Sequence, residues 1–171
     1  DFVHNVPSLH IKENAMNVLL KTYVKVVKQH QRPLINQKHI DLLILRDIFY
    51  QLKSSEDYFF KNVYSVYKNT DGASPLHHTE KEKINHNNSH VFFWINDVVK
   101  FNKDVYKKRY YSFYSVTDVQ DACKEYLLGL CWILGYYNGH EHNNWSWYYP
   151  YHATPFASDL FDFLIEHHDY F

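Results

Sequence analysis

A mainly helical fold with few, short strands is what this sequence predicts, and three observations carry the expectation. Apolar residues recur at helical spacing in two stretches of the first 67 residues. A further stretch, residues 118–137, adds a start signal and a glycine stop to the same spacing. No internal repeat and no low-complexity tract points to a solenoid or an array instead. With 171 residues, 46% of them hydrophobic, the chain suits one domain or one large piece of a bigger one.

Residues 1–12, which contain Pro7, read as an extended connection. A helix is predicted over about Glu13–His30, where Ala15, Val18, Leu19, Tyr23, Val26 and Val27 form one stripe, and Pro33 closes it. The second helical stretch begins near Asn36 and runs through Leu42, Leu45, Ile48, Phe49 and Leu52. It is expected to restart after the Ser54-Ser55 pair and reach about Tyr67. Residues 69–90 hold Gly72, Pro75, Asn87, Asn88 and four histidines, His77, His78, His86 and His90, with almost nothing apolar. That composition predicts a flexible insert. Its histidines lack the cysteines and the spacing of a zinc site.

Helical pattern returns over about Ile95–Phe113 with Lys100, Lys103, Lys107, Lys108 and Arg109, a basic face expected to be solvated. The clearest helix is Asp118–Tyr137, with Thr117 as predicted N-cap and Gln120 as its capping-box partner. Its buried stripe is expected to be Ala122, Tyr126, Leu127, Leu130, Ile133, Leu134 and Tyr137, with Trp132 also in the core. Gly139 ends it. A polar loop, His140–Asn144, leads into Trp145–Pro155, and a last helix covers about Ser158–His168.

Charge and cysteines narrow the function classes. The formal net charge of −1 hides a gradient: residues 1–70 carry 10 basic and 6 acidic groups, whereas residues 118–171 carry 1 and 8. Such a balance excludes a free-standing basic nucleic-acid module, so a polyanion would be held at a local site or by another segment. No segment approaches the apolar length of a membrane span. Cys123 and Cys131 lie eight apart on one predicted helix, roughly 12 Å at its rise per residue. A bridge needs Cα atoms within about 7 Å, so a disulfide between them is excluded and a reducing compartment is expected.

Aromatic residues reach 19%, with 16 Tyr, 12 Phe and 4 Trp. Two uses compete for them, a ring-rich core and a surface on which bases stack. The run Trp145-Ser146-Trp147-Tyr148-Tyr149-Pro150-Tyr151-His152 sharpens the question, because seven of its eight residues are rings, His or Pro. A buried strand would alternate, and a helix would not hold Pro150 in its interior. An irregular ring-lined loop is left, and such loops commonly serve a site.

Three segments in order resemble the second conserved region of Xrn-type 5′→3′ exoribonucleases. They are the helix from Glu125-Tyr126-Leu127-Leu128-Gly129-Leu130-Cys131-Trp132-Ile133-Leu134 to Tyr136-Tyr137, the aromatic run, and Pro155-Phe156-Ala157-Ser158-Asp159. The start of the chain is similar to the family too, through Asp1-Phe2-Val3 and Pro7-Ser8-Leu9-His10-Ile11, and so is Leu34-Ile35 with Ile40-Asp41-Leu42. Departures are His4-Asn5 where the family has Pro-His, and His152-Ala153-Thr154-Pro155 where it has His-Tyr-Ala-Pro.

The resemblance implies the helical C-terminal portion of an α/β, PIN/FEN-like nuclease domain, with residues 1–171 as a single segment of it. The chain opens at Asp1 without a Met, which suggests a fragment, a processed product or a numbering that omits what came before. The implied reaction is processive hydrolysis of 5′-monophosphorylated single-stranded RNA to mononucleotides. Two Mg²⁺ ions roughly 4 Å apart would serve it, held by hard oxygen ligands. Asp1 matches the last carboxylate of the family's metal cluster; the other ligands belong to the N-terminal half, so this chain alone is expected to be inactive. Trp145 and Trp147 are both candidates for the family's base-stacking ring, and His152 is a candidate phosphate contact. A cytoplasmic or nuclear setting is implied, with RNA and the N-terminal half as partners and no membrane. A degenerate relative acting as a structural or RNA-binding subunit is the alternative.

Overall fold

A computed structural model of the chain describes residue 7 and residues 15–58, 92–95, 98–139 and 144–167. Asp1, the start of the first predicted helix and the predicted insert at 69–90 lie outside these residues. Among the described residues the architecture is mainly helical, with two small antiparallel hairpins.

Helix α1, Ala15–His30, buries Ala15, Thr22 and Val26, and Val26 packs with residues of α2, Leu42–Tyr58. Between them strands β1, Ile35–Asn36, and β2, His39–Ile40, form a hairpin where helix was expected. Gln37 and Lys38, at its tip, both have positive φ (46° and 73°), the type I′ arrangement of a two-residue turn. Such residues cost about 1–2 kcal/mol each in that region, and neither signals a turn by composition. The helical spacing of Leu42 onward therefore extended too far back.

Asp41 starts α2 as a cap. Its Oδ1 accepts from the N–H of Leu43 (3.1 Å) and of Ile44 (3.2 Å), while Arg32 pairs with the same carboxylate at 2.9 Å. The helix does not break at Ser54-Ser55. Both hydroxyls donate to carbonyls four residues back, Tyr50 and Gln51, so they stay within the helical ladder. On α1 and α2, His30 and Asp47 are bridged at 2.8 Å, and Arg46 also bonds Asp47.

Strands β3, Phe92–Ile95, and β4, Val98–Phe101, pair with Ile95 opposite Val98. The predicted helix over 95–113 is thus overturned in its first part, where aromatic and β-branched residues flank Asn96-Asp97. Helix α3 is shorter, Lys103–Phe113, and Asn102 caps it by accepting from the Val105 N–H. Helix α4, Val119–Tyr137, is capped by Asp118, not Thr117: its Oδ1 accepts from the Asp121 N–H at 2.9 Å. A one-residue error in the cap reflects two good capping residues in tandem. Gly139 has φ +64° and closes the helix as expected. Helix α5 is Ala157–Glu166.

Two apolar clusters result. Helices α1, α2, α4 and α5 enclose Val26, Ile44, Ile48, Leu52, Cys123, Leu127, Leu160 and Leu164, among others. A second, ring-rich cluster unites Tyr106, Tyr111, Val116, Ala122, Ala153 and Phe156. Both cysteines are free, Cys123 buried and Cys131 exposed. No helix among the described residues is long and apolar enough to cross a membrane.

Candidate nucleic-acid interface

The segment after α4 runs back along that helix, and side chains of α4 hold it at successive levels. At the top, Trp132 donates its indole N–H to the Asn144 carbonyl at 2.8 Å. Lower down, the Trp147 indole N–H donates to Glu125 at 3.1 Å, and the Tyr149 ring meets the Tyr126 ring edge-on at 6.0 Å. Near the start of the helix, Tyr151 donates to Asp121 at 2.5 Å. That hydrogen bond first, then burial and the nearby carboxylates, keep the Tyr151 phenol protonated, its pKa pushed up to about 12. Residues Asp121, Glu125 and Trp132 lie at successive spacings of four and seven, so one helix face carries all three anchors.

These anchors sort the rings of the loop into two sets. Trp147, Tyr149 and Tyr151 turn toward the helix and are partly buried, whereas Trp145 and Tyr148 stand in solvent at 69% and 74% exposure. Tyr149 also donates to the Ala153 carbonyl at 2.8 Å. Trp145 rests edge-on against two rings of α4, Trp132 (5.7 Å, 89°) and Tyr136 (5.9 Å, 84°). Those two are stacked on each other at 5.7 Å with planes 5° apart. Trp132 therefore belongs to this shelf rather than to the core, a correction to the helical stripe. Tyr137, expected in that stripe, is 77% exposed. The stripe fails there because α4 outruns the elements packed on it.

The far end of the loop is locked inside. Phe156 is wholly buried, with the edges of Tyr106, Tyr110 and Tyr111 around it at 4.9–6.1 Å. Tyr111 accepts from the Phe156 N–H (3.1 Å) and donates to Asp159 (2.6 Å). Burial, with the Asp159 charge, raises the Tyr111 phenol far above its ordinary range. Lys107 bonds both Asp159 and Ser158, and the fully buried Glu56 takes Lys103 at 2.6 Å and the Ser158 hydroxyl at 2.8 Å. The expected solvated basic face of α3 is thus half consumed, because Lys103 and Lys107 neutralise carboxylates of α2 and α5. Sequence reasoning missed Glu56 and the pairing of Asp159, which it quoted only as part of a matching segment; two lysines one helical turn apart were the signal for both.

His152 is exposed at the surface of the loop. Asp1 falls outside the described residues, and among those residues no group of three or more His, Cys, Asp or Glu gathers as a metal would require. The aromatic candidates are brought together with rings of α4; a metal centre is not built by the described side chains.

The sequence profile of the family described as the Xrn1 helical domain matches residues 1–93 and 63–165. The chain belongs to that family. Among similar proteins, a "5'-3' exoribonuclease 2 homolog" of Drosophila melanogaster is 26% identical over 211 aligned residues, 94% of this chain and 23% of its own length. Human "5'-3' exoribonuclease 1" is 24% identical over 204, again 94% of this chain but 12% of its own length. A shorter stretch of 71 residues is 43% identical to "5'-3' exoribonuclease 2" of Yarrowia lipolytica, 37% of this chain and 7% of that protein. The Xrn helical domain here thus spans less than a quarter of each of these relatives.

Proposed function

We propose that this chain is the helical part of an Xrn-type 5′→3′ exoribonuclease and gives it an aromatic platform for single-stranded RNA with a 5′-monophosphate. Membership of the family and the names of the relatives support the exoribonuclease class. The observation that carries the platform is Trp145: a large indole, 69% exposed, seated on a turn anchored to α4 and backed by two further rings. A ring left in solvent yet fixed in direction offers a face to any base. Trp147 is the poorer candidate, since its N–H is engaged with Glu125 and its ring is turned inward. His152, exposed on the same loop, is the phosphate contact in this reading.

Hydrolysis needs more than the described residues supply. Magnesium, when bound, would activate a water and neutralise charge on the scissile phosphate. By resemblance Asp1 is one of its ligands, and the companion carboxylates belong to the N-terminal half of the same enzyme. The role of this chain in the reaction is to bind and align the strand and to contribute Asp1, while the other half supplies the remaining metal ligands. A cytoplasmic or nuclear setting follows from that reading.

The test pairs binding with turnover. Trp145→Ala should weaken binding of a 5′-monophosphorylated oligonucleotide by about 5- to 150-fold, matching roughly 1–3 kcal/mol for one stacked base. Trp147→Ala should weaken it less. In the enzyme carrying this segment, Asp1→Asn should abolish Mg²⁺-dependent release of mononucleotides and spare binding. Release of mononucleotides by this chain alone would refute the division of labour. A full-length enzyme that binds RNA but never cleaves it would instead favour a structural or RNA-binding subunit.

A further inference from the structure

The direction of the Trp145 ring has an identifiable origin one residue earlier. Asn144 takes hydrogen bonds on both of its oxygens. The backbone carbonyl accepts from the Trp132 indole N–H (2.8 Å) and from the Trp147 N–H (3.1 Å). The side-chain Oδ1 accepts from the Ser146 N–H (3.1 Å) and the Ser146 hydroxyl (2.6 Å). The side-chain bonds close an Asx turn over residues 144–146, with Trp145 at its centre. One bond comes from α4, three from the loop, so a single residue fixes the turn internally and to the helix together.

Trp145 itself gains little from its own contacts. Its ring touches Trp132 and Tyr136 only edge-on, and most of its surface is in water. A tryptophan on an unrestrained loop would sample several rotamers and collapse onto nearby apolar surface. Ordering such a side chain on binding costs affinity that a preset ring does not lose. We propose that Asn144 is a positioning residue, and Trp132 its helix-side partner, that together preset Trp145 for base stacking. The proposal rests on the stacking role given to Trp145 above, and it adds the residues on which that role depends.

The test uses the chain labelled with 5-fluorotryptophan, whose four tryptophans give four fluorine resonances assignable by single substitution. An oligouridylate carrying a 5′-monophosphate is the probe. Asn144→Ala should move the Trp145 resonance toward that of free fluorotryptophan and weaken oligouridylate binding by about 3- to 10-fold, a part of the stacking gain. The Trp147 resonance, held through Glu125, should stay in place. Asn144→Asp retains Oδ1 as acceptor and should restore the Trp145 position. Trp132→Phe, which keeps a ring and loses the N–H, should act in the same direction as Asn144→Ala. Ser146→Ala, a milder change, should give a smaller shift of the same sign should Asn144→Ala prove unfolded.

An unmoved Trp145 resonance in both Asn144→Ala and Trp132→Phe overturns the proposal. So does a displaced resonance with unchanged binding when Trp145→Ala does weaken binding. If Trp145→Ala leaves binding untouched, the stacking role itself is refuted, and the fluorine shifts still report whether Asn144 sets the ring.

Discussion

The two ends of one aromatic segment are used in opposite ways. Residues 153–158 are buried throughout, with Phe156 caged by tyrosine rings and its N–H received by Tyr111. Residues 144–148 stay largely in solvent, held from beneath by Trp132 and Glu125. The buried end carries one ring, Phe156, and the exposed end carries three, Trp145, Trp147 and Tyr148, so ring content does not mark the core. The partners do: among the described residues the inner end meets three helices at once, whereas the outer end meets α4 alone.

That contrast is open to breakage from either side. The largest effect belongs to Phe156→Ala, which empties a fully enclosed site; a loss of about 4 kcal/mol is expected from such truncations, read as a fall in the urea midpoint. Lys103→Met leaves the Glu56 carboxylate buried with its charge uncompensated, for about 3 kcal/mol. A combined thermal and urea titration would show whether that network matters as much as the cage.

Tyr151→Phe probes the middle of the segment. The hydrogen bond to Asp121 pushes the folded phenol up to about 12 against a usual 10, so neutral Tyr151 favours the folded state. Its contribution is complete below about pH 10 and is lost as pH climbs toward 12. The variant should therefore show a shallower alkaline fall in midpoint over that window; an identical slope would detach Tyr151 from Asp121. The smallest change belongs to Trp145→Ala, within about 0.5 kcal/mol as for other surface substitutions. A loss of several kcal/mol would make the outer rings core after all and dissolve the comparison.

Much of the helical framework was legible, because burial stripes such as Val18–Val26 and Ala122–Leu130 need only spacing. The hairpin at 35–40 was not, since Gln37 and Lys38 adopt positive φ without the Asn or Gly that advertises it. The strands at 92–101 were hidden by the lysines that follow them. In the candidate site, the aromatic run announced itself by its oddity, but the division between Trp145 and Trp147 depends on a carboxylate 22 residues away. Trp132 misled for a related reason: helical spacing marks a face, and only tertiary contacts say whether that face meets a core or a loop.

The buried Glu56 carboxylate also governs what α5 can do. It receives the Ser158 N–H at 3.4 Å as well as the hydroxyl, and so occupies the electropositive mouth of that helix from within. Helix mouths of this kind are ready receptors for phosphate, and here the protein's own anion has taken the seat. On the proposed platform role, a strand on this chain would draw on ring faces and not on the mouth of this helix. Added potassium chloride should then loosen it only gently, in contrast to the steep ionic-strength dependence of proteins that neutralise many phosphates.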